Sequence, residues 1–218
     1  MYFIGCTKES FTPEIVLGSG CEGKVYYNQK TQEAVKIHYD NIGKESLSEE
    51  DALKLCDIST SNILLPRRLI YDENGVFLGY TTNFVPKYKH VEELDVEHYT
   101  VDYLINILSK LYKDAQLMSE KGLVLSDLLS DGNYIFNGSY YLTDPGFYHF
   151  VEKDMKTILI ENIRKLNAFL DATVFWCRIN NLKEELLRRD ATYTICEYLK
   201  DEGQKDETLN SLVRRKVL

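Results

Sequence analysis

Strand-forming sequence crowds into the first 85 residues, and helix-forming sequence takes over from Thr100. Strands first and helices afterwards point to an α+β chain, with the sheet and the helices in separate layers or lobes. Glu14-Ile-Val-Leu17, Lys24-Val-Tyr-Tyr27, Glu33-Ala-Val-Lys-Ile37, Arg68-Leu-Ile-Tyr71 and Val76 to Val85 read as five strands, rich in β-branched and aromatic residues. Turn residues such as Asn28-Gln-Lys-Thr31 and Asp72-Glu-Asn-Gly75 separate them. One helix interrupts the series over 45–57, with Leu47, Ala52, Leu53 and Cys56 on or near one face. Pro86 ends the last strand, and a polar connection runs to Tyr99. Beyond it Tyr103, Leu104, Ile107, Leu108, Leu111, Ala115 and Met118 recur at helical spacing, stopped by Gly122. Asp154 to Trp176, Leu182 to Lys200 and Glu207 to Lys216 also read as helices, with Phe169, Phe175 and Trp176 as core. Two parts are expected, 1–85 and 86–218.

One β signal breaks the helical half. Tyr134-Ile135-Phe136 and Tyr140-Tyr141-Leu142 flank Asn137-Gly138, whose residues tolerate the positive φ of a type I′ hairpin turn. A hairpin here brings its ends, Asn133 and Asp144, together, with Asp127 a few residues upstream. Two oxygen ligands and a second carboxylate suit Mg²⁺ and a proton acceptor.

Near the start of the chain, Gly18-Ser-Gly20-Cys-Glu-Gly23 joins two strands. Three glycines in six residues let a backbone approach a ligand closely and aim N–H groups at phosphates. A dinucleotide fold needs a helix straight after such glycines, whereas Lys24-Val-Tyr-Tyr27 is β-prone. Lys36 follows on the third strand, sharing a face with Ala34 and positioned to meet phosphate oxygens. Glu49 or Glu50 on the helix could pair with it.

The net charge of −8 argues against a general nucleic-acid binder. No apolar run approaches the ~18 residues that would span a bilayer, and the first residues do not look like a secretory signal. Cys6, Cys21, Cys56, Cys177 and Cys196 are odd in number and scattered, forming no Cys-x-x-Cys pair. A reducing cytoplasm is expected, with neither nucleic acid nor membrane as partner.

Taken in order, the glycine loop, strand Lys, helix Glu and Asp…Asn…Asp around a hairpin resemble the signature set of the protein kinase-like superfamily, most closely the compact bacterial eukaryotic-like Ser/Thr kinases. The resemblance spans roughly residues 11–176. It implies a two-lobed fold, with a small antiparallel N-lobe carrying one helix and a reduced, mainly helical C-lobe. It also implies ATP with Mg²⁺ (or Mn²⁺) as cofactors, and a protein substrate or the chain itself as acceptor. Gly18, Ser19, Gly20, Cys21, Gly23 and Val25 would cover the phosphates, with Lys36 on them and Glu49 as its ion-pair partner. Ala34 would pack on the adenine, and Thr82, Asn83 and Val85 would form the hinge that holds it. Asp127 would be the catalytic base, and Asn133 and Asp144 the metal ligands.

The chain departs from the pattern in several places. Leu125-Ser126 replaces His-Arg, and Asn133 stands one residue further from Asp127 than the family spacing. Pro145 replaces Phe, no Ala-Pro-Glu follows, and the activation segment is short. These departures keep two alternatives open, a nucleotide-binding pseudokinase and a small-molecule kinase of the same fold.

Overall fold

The computed structural model describes residues 2–5, 9–39, 47–90, 94–130, 133–179 and 181–217. Cys6 and the expected helix start at 45–46 lie outside them. The structure is mixed α+β. It divides into two compact units: Met1–Thr60, Leu64–Lys87 and Thr143–Tyr148 form the first, and Ser61–Ile63, Tyr88–Leu142 and His149–Leu218 the second.

The first unit is built on strands β1 (Tyr2–Ile4), β2 (Glu9–Phe11), β3 (Ile15–Ser19), β4 (Gly23–Asn28), β5 (Glu33–His38), β6 (Arg68–Tyr71) and β7 (Phe77–Asn83). They make one antiparallel seven-stranded sheet in the order β2-β1-β6-β7-β5-β4-β3. The β1–β2 hairpin was not expected, because three-residue strands are too short to show alternation. Central β5 alternates as its sequence requires. Val35 and Ile37 join Ile4, Phe11 and Ile70 in a buried cluster, which leaves Ala34, Lys36 and His38 on the opposite face. Gly79 in β7 has φ +156°, and a Cβ there would sit 2.0 Å from the Lys36 carbonyl oxygen. Only glycine lets β7 lie this close to β5 at Lys36.

Helix α1 (Glu49–Cys56) is capped by the Ser48 side chain, which accepts from the Asp51 N–H at 3.1 Å. It buries Ala52 and Leu55, whereas Leu53, expected on the inner face, is 60% exposed. Leu47 is buried but precedes the helix.

The second unit contains α2 (Val101–Glu120), β8 (Leu123–Val124), β9 (Tyr134–Phe136), β10 (Tyr140–Leu142), β11 (His149–Phe150), α3 (Met155–Thr173), α4 (Leu182–Arg189), α5 (Ile195–Glu202) and α6 (Leu209–Val217). Helix α2 buries Leu104, Ile107, Leu108, Leu111, Ala115 and Met118 as its periodicity demands. Tyr103 instead lies partly exposed, edge-on to Tyr99. The single helix expected over 182–200 is two helices. Asp190 turns the chain by accepting from the Thr192 N–H and hydroxyl, and Thr194 with Glu197 forms a capping box that starts α5 afresh. Phe169 and Phe175 are core, but Trp176 is 47% exposed. Strands β9 and β10 form the expected hairpin, with Phe136 opposite Tyr140. Its loop is Asn137-Gly138-Ser139, with Gly138 alone at positive φ, so it is a three-residue loop and not the two-residue type I′ turn. Among the described residues no helix is long and apolar enough to cross a membrane.

Candidate functional site

In the first unit, β-pairing opposes Gly18 to Val25, Val25 to Lys36, Lys36 to Tyr80, and Ala34 to Thr82. Directly opposed residues share a face, so Val25, Ala34, Lys36, Tyr80 and Thr82 lie on one side of the sheet. Gly18 and Gly20 would each meet open space with a Cβ added, and neither is at positive φ, so neither packing nor backbone conformation explains these glycines. Gly23 differs. A Cβ there would strike the Ile37 carbonyl oxygen at 2.2 Å, so glycine seats the loop against β5. Ser19 and Cys21 are exposed at the loop.

Lys36 is 6% exposed. A buried ammonium needs partners, since removal from water costs several kcal/mol that only close opposite charge offsets. It has two: Glu22 Oε2 at 2.8 Å, and Asp144 Oδ1, which is 108 residues away in the chain. The expected partner Glu49 is exposed and instead accepts from the Tyr71 hydroxyl at 2.9 Å, while Glu50 pairs with Lys54. This corrects the assignment of the ion-pair residue. The acid that reaches Lys36 comes from the glycine loop, which folds over β5, whereas Glu49 is engaged beside β6. Asn83 opposes Glu33 and so lies on the other face, where it accepts from Arg67 at 2.9 Å. Val85 is buried just beyond the strand.

Two further side chains share the Lys36 face. Tyr80 is buried, and that burial, reinforced by the Asp144 and Glu22 carboxylates, raises its phenol well above its ordinary value. His38 packs edge-on against Phe77 and Tyr80. Burial and then the Lys36 ammonium lower its pKa to about 4, with Asp144 opposing. A depressed folded-state value means that the unfolded chain binds the extra proton first as pH falls. The His38 contribution to stability is therefore full above pH 6.5 and is lost between 6.5 and about 4. Urea midpoints measured across that window should fall less steeply for His38→Gln than for the parent. Parallel pH profiles would refute this account.

In the second unit, Asp127 sits on a loop held by α3. Asn162 Oδ1 accepts from the Leu125 N–H at 2.8 Å, and its Nδ2 donates to the Leu123 carbonyl at 2.9 Å. Lys165 donates to the Leu125 carbonyl at 2.7 Å. Leu125 and Leu128 are buried, while Asp127 is exposed with φ +55°. Its carboxylate accepts from the Ser130 hydroxyl and, at 3.2 Å, from Asn133 Nδ2. The same amide donates to the Asp127 carbonyl at 2.8 Å, which leaves the Asn133 side-chain oxygen as its acceptor end. The extra residue between Asp127 and Asn133 does not prevent this pairing. Asp144 belongs to the first unit, where it has left-handed φ +49° and precedes a short 3₁₀ turn over Pro145–Phe147.

Sequence reasoning passed over Glu22, His38, Tyr80, Asn162 and Lys165. Period-two alternation from Lys36 could have found His38. For Glu22, an acid between two loop glycines was the available signal. No family model matches the chain, and no curated protein matches its sequence.

Proposed function

We propose that this chain is a Mg²⁺–ATP-dependent phosphotransferase of kinase-like, two-lobed architecture, passing the γ-phosphate to a protein Ser or Thr hydroxyl, its own included. The observation that most supports this reading is Lys36: a buried ammonium on the face beneath a glycine loop, bonded to a carboxylate far along the chain. The open space at Gly18 and Gly20 supports it too, since a phosphate chain is what such a backbone could approach. In this reading Val25, Ala34 and Thr82 line the base-binding face, and Lys36 neutralises phosphate oxygens. Asp144 in the first unit and the Asn133 side-chain oxygen in the second would each offer an oxygen ligand to the metal, which would supply further charge neutralisation. Asp127 accepts the proton of the acceptor hydroxyl, as that oxygen bonds to the γ-phosphorus and the bond to the ADP oxygen breaks. Asn162, Lys165 and Asn133 hold the Asp127 loop in place.

Calorimetric titration tests the binding half directly. The parent should bind Mg²⁺–ATP saturably. Lys36→Ala and Asp144→Asn should weaken that binding about tenfold or more, as loss of a charge-assisted contact does, with unchanged circular dichroism. A parent that does not bind, or an Asp144→Asn variant that binds equally, would sink the reading.

A further inference from the structure

Lys36 is the cation that the nucleotide reading assigns to phosphate, and the glycine loop already holds a carboxylate on it. We propose, resting on that reading, that Glu22 is a displaceable latch: its carboxylate stands where a phosphate oxygen would pair with Lys36, and nucleotide binding requires it to swing away. Lys36 has three N–H donors, and Glu22 and Asp144 take two of them. One ammonium between two carboxylates leaves a net negative cluster, which meets an incoming polyphosphate with like charge.

Two features show that Glu22 is accommodated in this position. Its backbone is fixed, because its carbonyl accepts from the Tyr39 N–H at 3.0 Å and the adjoining turn is closed by Gly20 N–H to the Gly23 carbonyl, also 3.0 Å. Only side-chain rotation is then needed to free Lys36. Gly146, buried and not at positive φ, lies against the carboxylate: an added Cβ would be 3.0 Å from Glu22 Oε2 and 3.3 Å from Asp144 Oδ1, a closeness that the free end of the Glu22 side chain could relieve by a small shift. Asp144 differs from Glu22 in being the metal ligand of the reading, so it stays in place when Glu22 leaves.

The test compares the parent with Glu22→Gln and Glu22→Ala in two measurements. The first is the Kd for Mg²⁺ with the β,γ-imido analogue of ATP. The second is the rate of Lys36 acetylation by an N-hydroxysuccinimide ester without nucleotide, read by peptide mass spectrometry. Both variants should bind the analogue about tenfold more tightly, as expected when a like charge is removed from an anion site, and Lys36 should acetylate several-fold faster. If the parent binds and the variants bind equally or less tightly, the latch is refuted and Glu22 positions Lys36 instead, while the nucleotide reading stands. If affinity rises but acetylation does not, Glu22 repels anions from elsewhere and the latch is again refuted. If neither parent nor variants bind, the nucleotide reading falls and takes the latch with it.

Discussion

Asp127→Asn is expected to lower phosphate transfer by about 10² or more, the range of a lost general base, while Mg²⁺–ATP affinity stays at the parent value. The substitution conserves shape. The Ser130 hydroxyl can still donate to the remaining amide oxygen, and Asn133 still donates to the residue 127 carbonyl, so the loop should keep its form. What disappears is the group that accepts the hydroxyl proton. The Leu123–Leu125 segment, bonded to Asn162 and Lys165 of α3, does not involve the 127 side chain, so folding should be unaffected. Single-turnover transfer from γ-labelled ATP, with calorimetric affinity measured on the same preparations, separates the two effects. Equal turnover would remove Asp127 from the chemistry. A parallel fall in affinity would show that the loop had moved.

Asp114→Ala should be the most damaging substitution for stability. Asp114 is 5% exposed on α2, and its carboxylate accepts from the N–H groups of Ser61, Asn62 and Ile63 at up to 3.1 Å. Removing it takes the side-chain acceptor from the N–H groups of Ser61, Asn62 and Ile63, of which the Asn62 and Ile63 bonds are buried and the Ser61 bonds part-buried. Losing the acceptor of a buried donor costs about 1–3 kcal/mol, so a loss of about 2 kcal/mol or more is expected, a large part of the ~5–15 kcal/mol typical of a domain. The damage should reach the hairpin. Asn62 donates to the Ser139 hydroxyl and the Tyr140 carbonyl, and its own carbonyl accepts from the Leu142 N–H. Urea unfolding followed by circular dichroism measures the loss, and hydrogen exchange at Tyr140–Leu142 should rise with it. A change below about 1 kcal/mol, the cost of a single net hydrogen bond, would show that Asp114 is not the clamp.

Much of this architecture was legible locally. Period-two alternation in Glu33–His38 put Lys36 opposite the Val35–Ile37 core face, and period-3.6 spacing marked the buried stripe of α2. Asn137-Gly138 located the hairpin, although the loop proved one residue longer than its type I′ reading. Such patterns are readable because backbone geometry dictates where each side chain points. Helix ends were less legible, because they depend on single capping groups: Ser48 sets the start of α1, and Thr194 with Glu197 separates α5 from α4.

Partner choice was decided by the tertiary structure alone. In sequence Glu49 and Glu50 are the candidate counterions for Lys36, yet Glu22 takes the contact, because the glycine loop folds over β5 while Glu49 binds Tyr71. Asp144 joins from 108 residues away, and Asp114 clamps Ser61–Ile63 from 51–53 residues away. Alternation and helical spacing reach only a few residues along the chain. Which distant carboxylate satisfies a buried ammonium or a row of backbone amides depends on where the whole chain path brings it, and that is a property of packing.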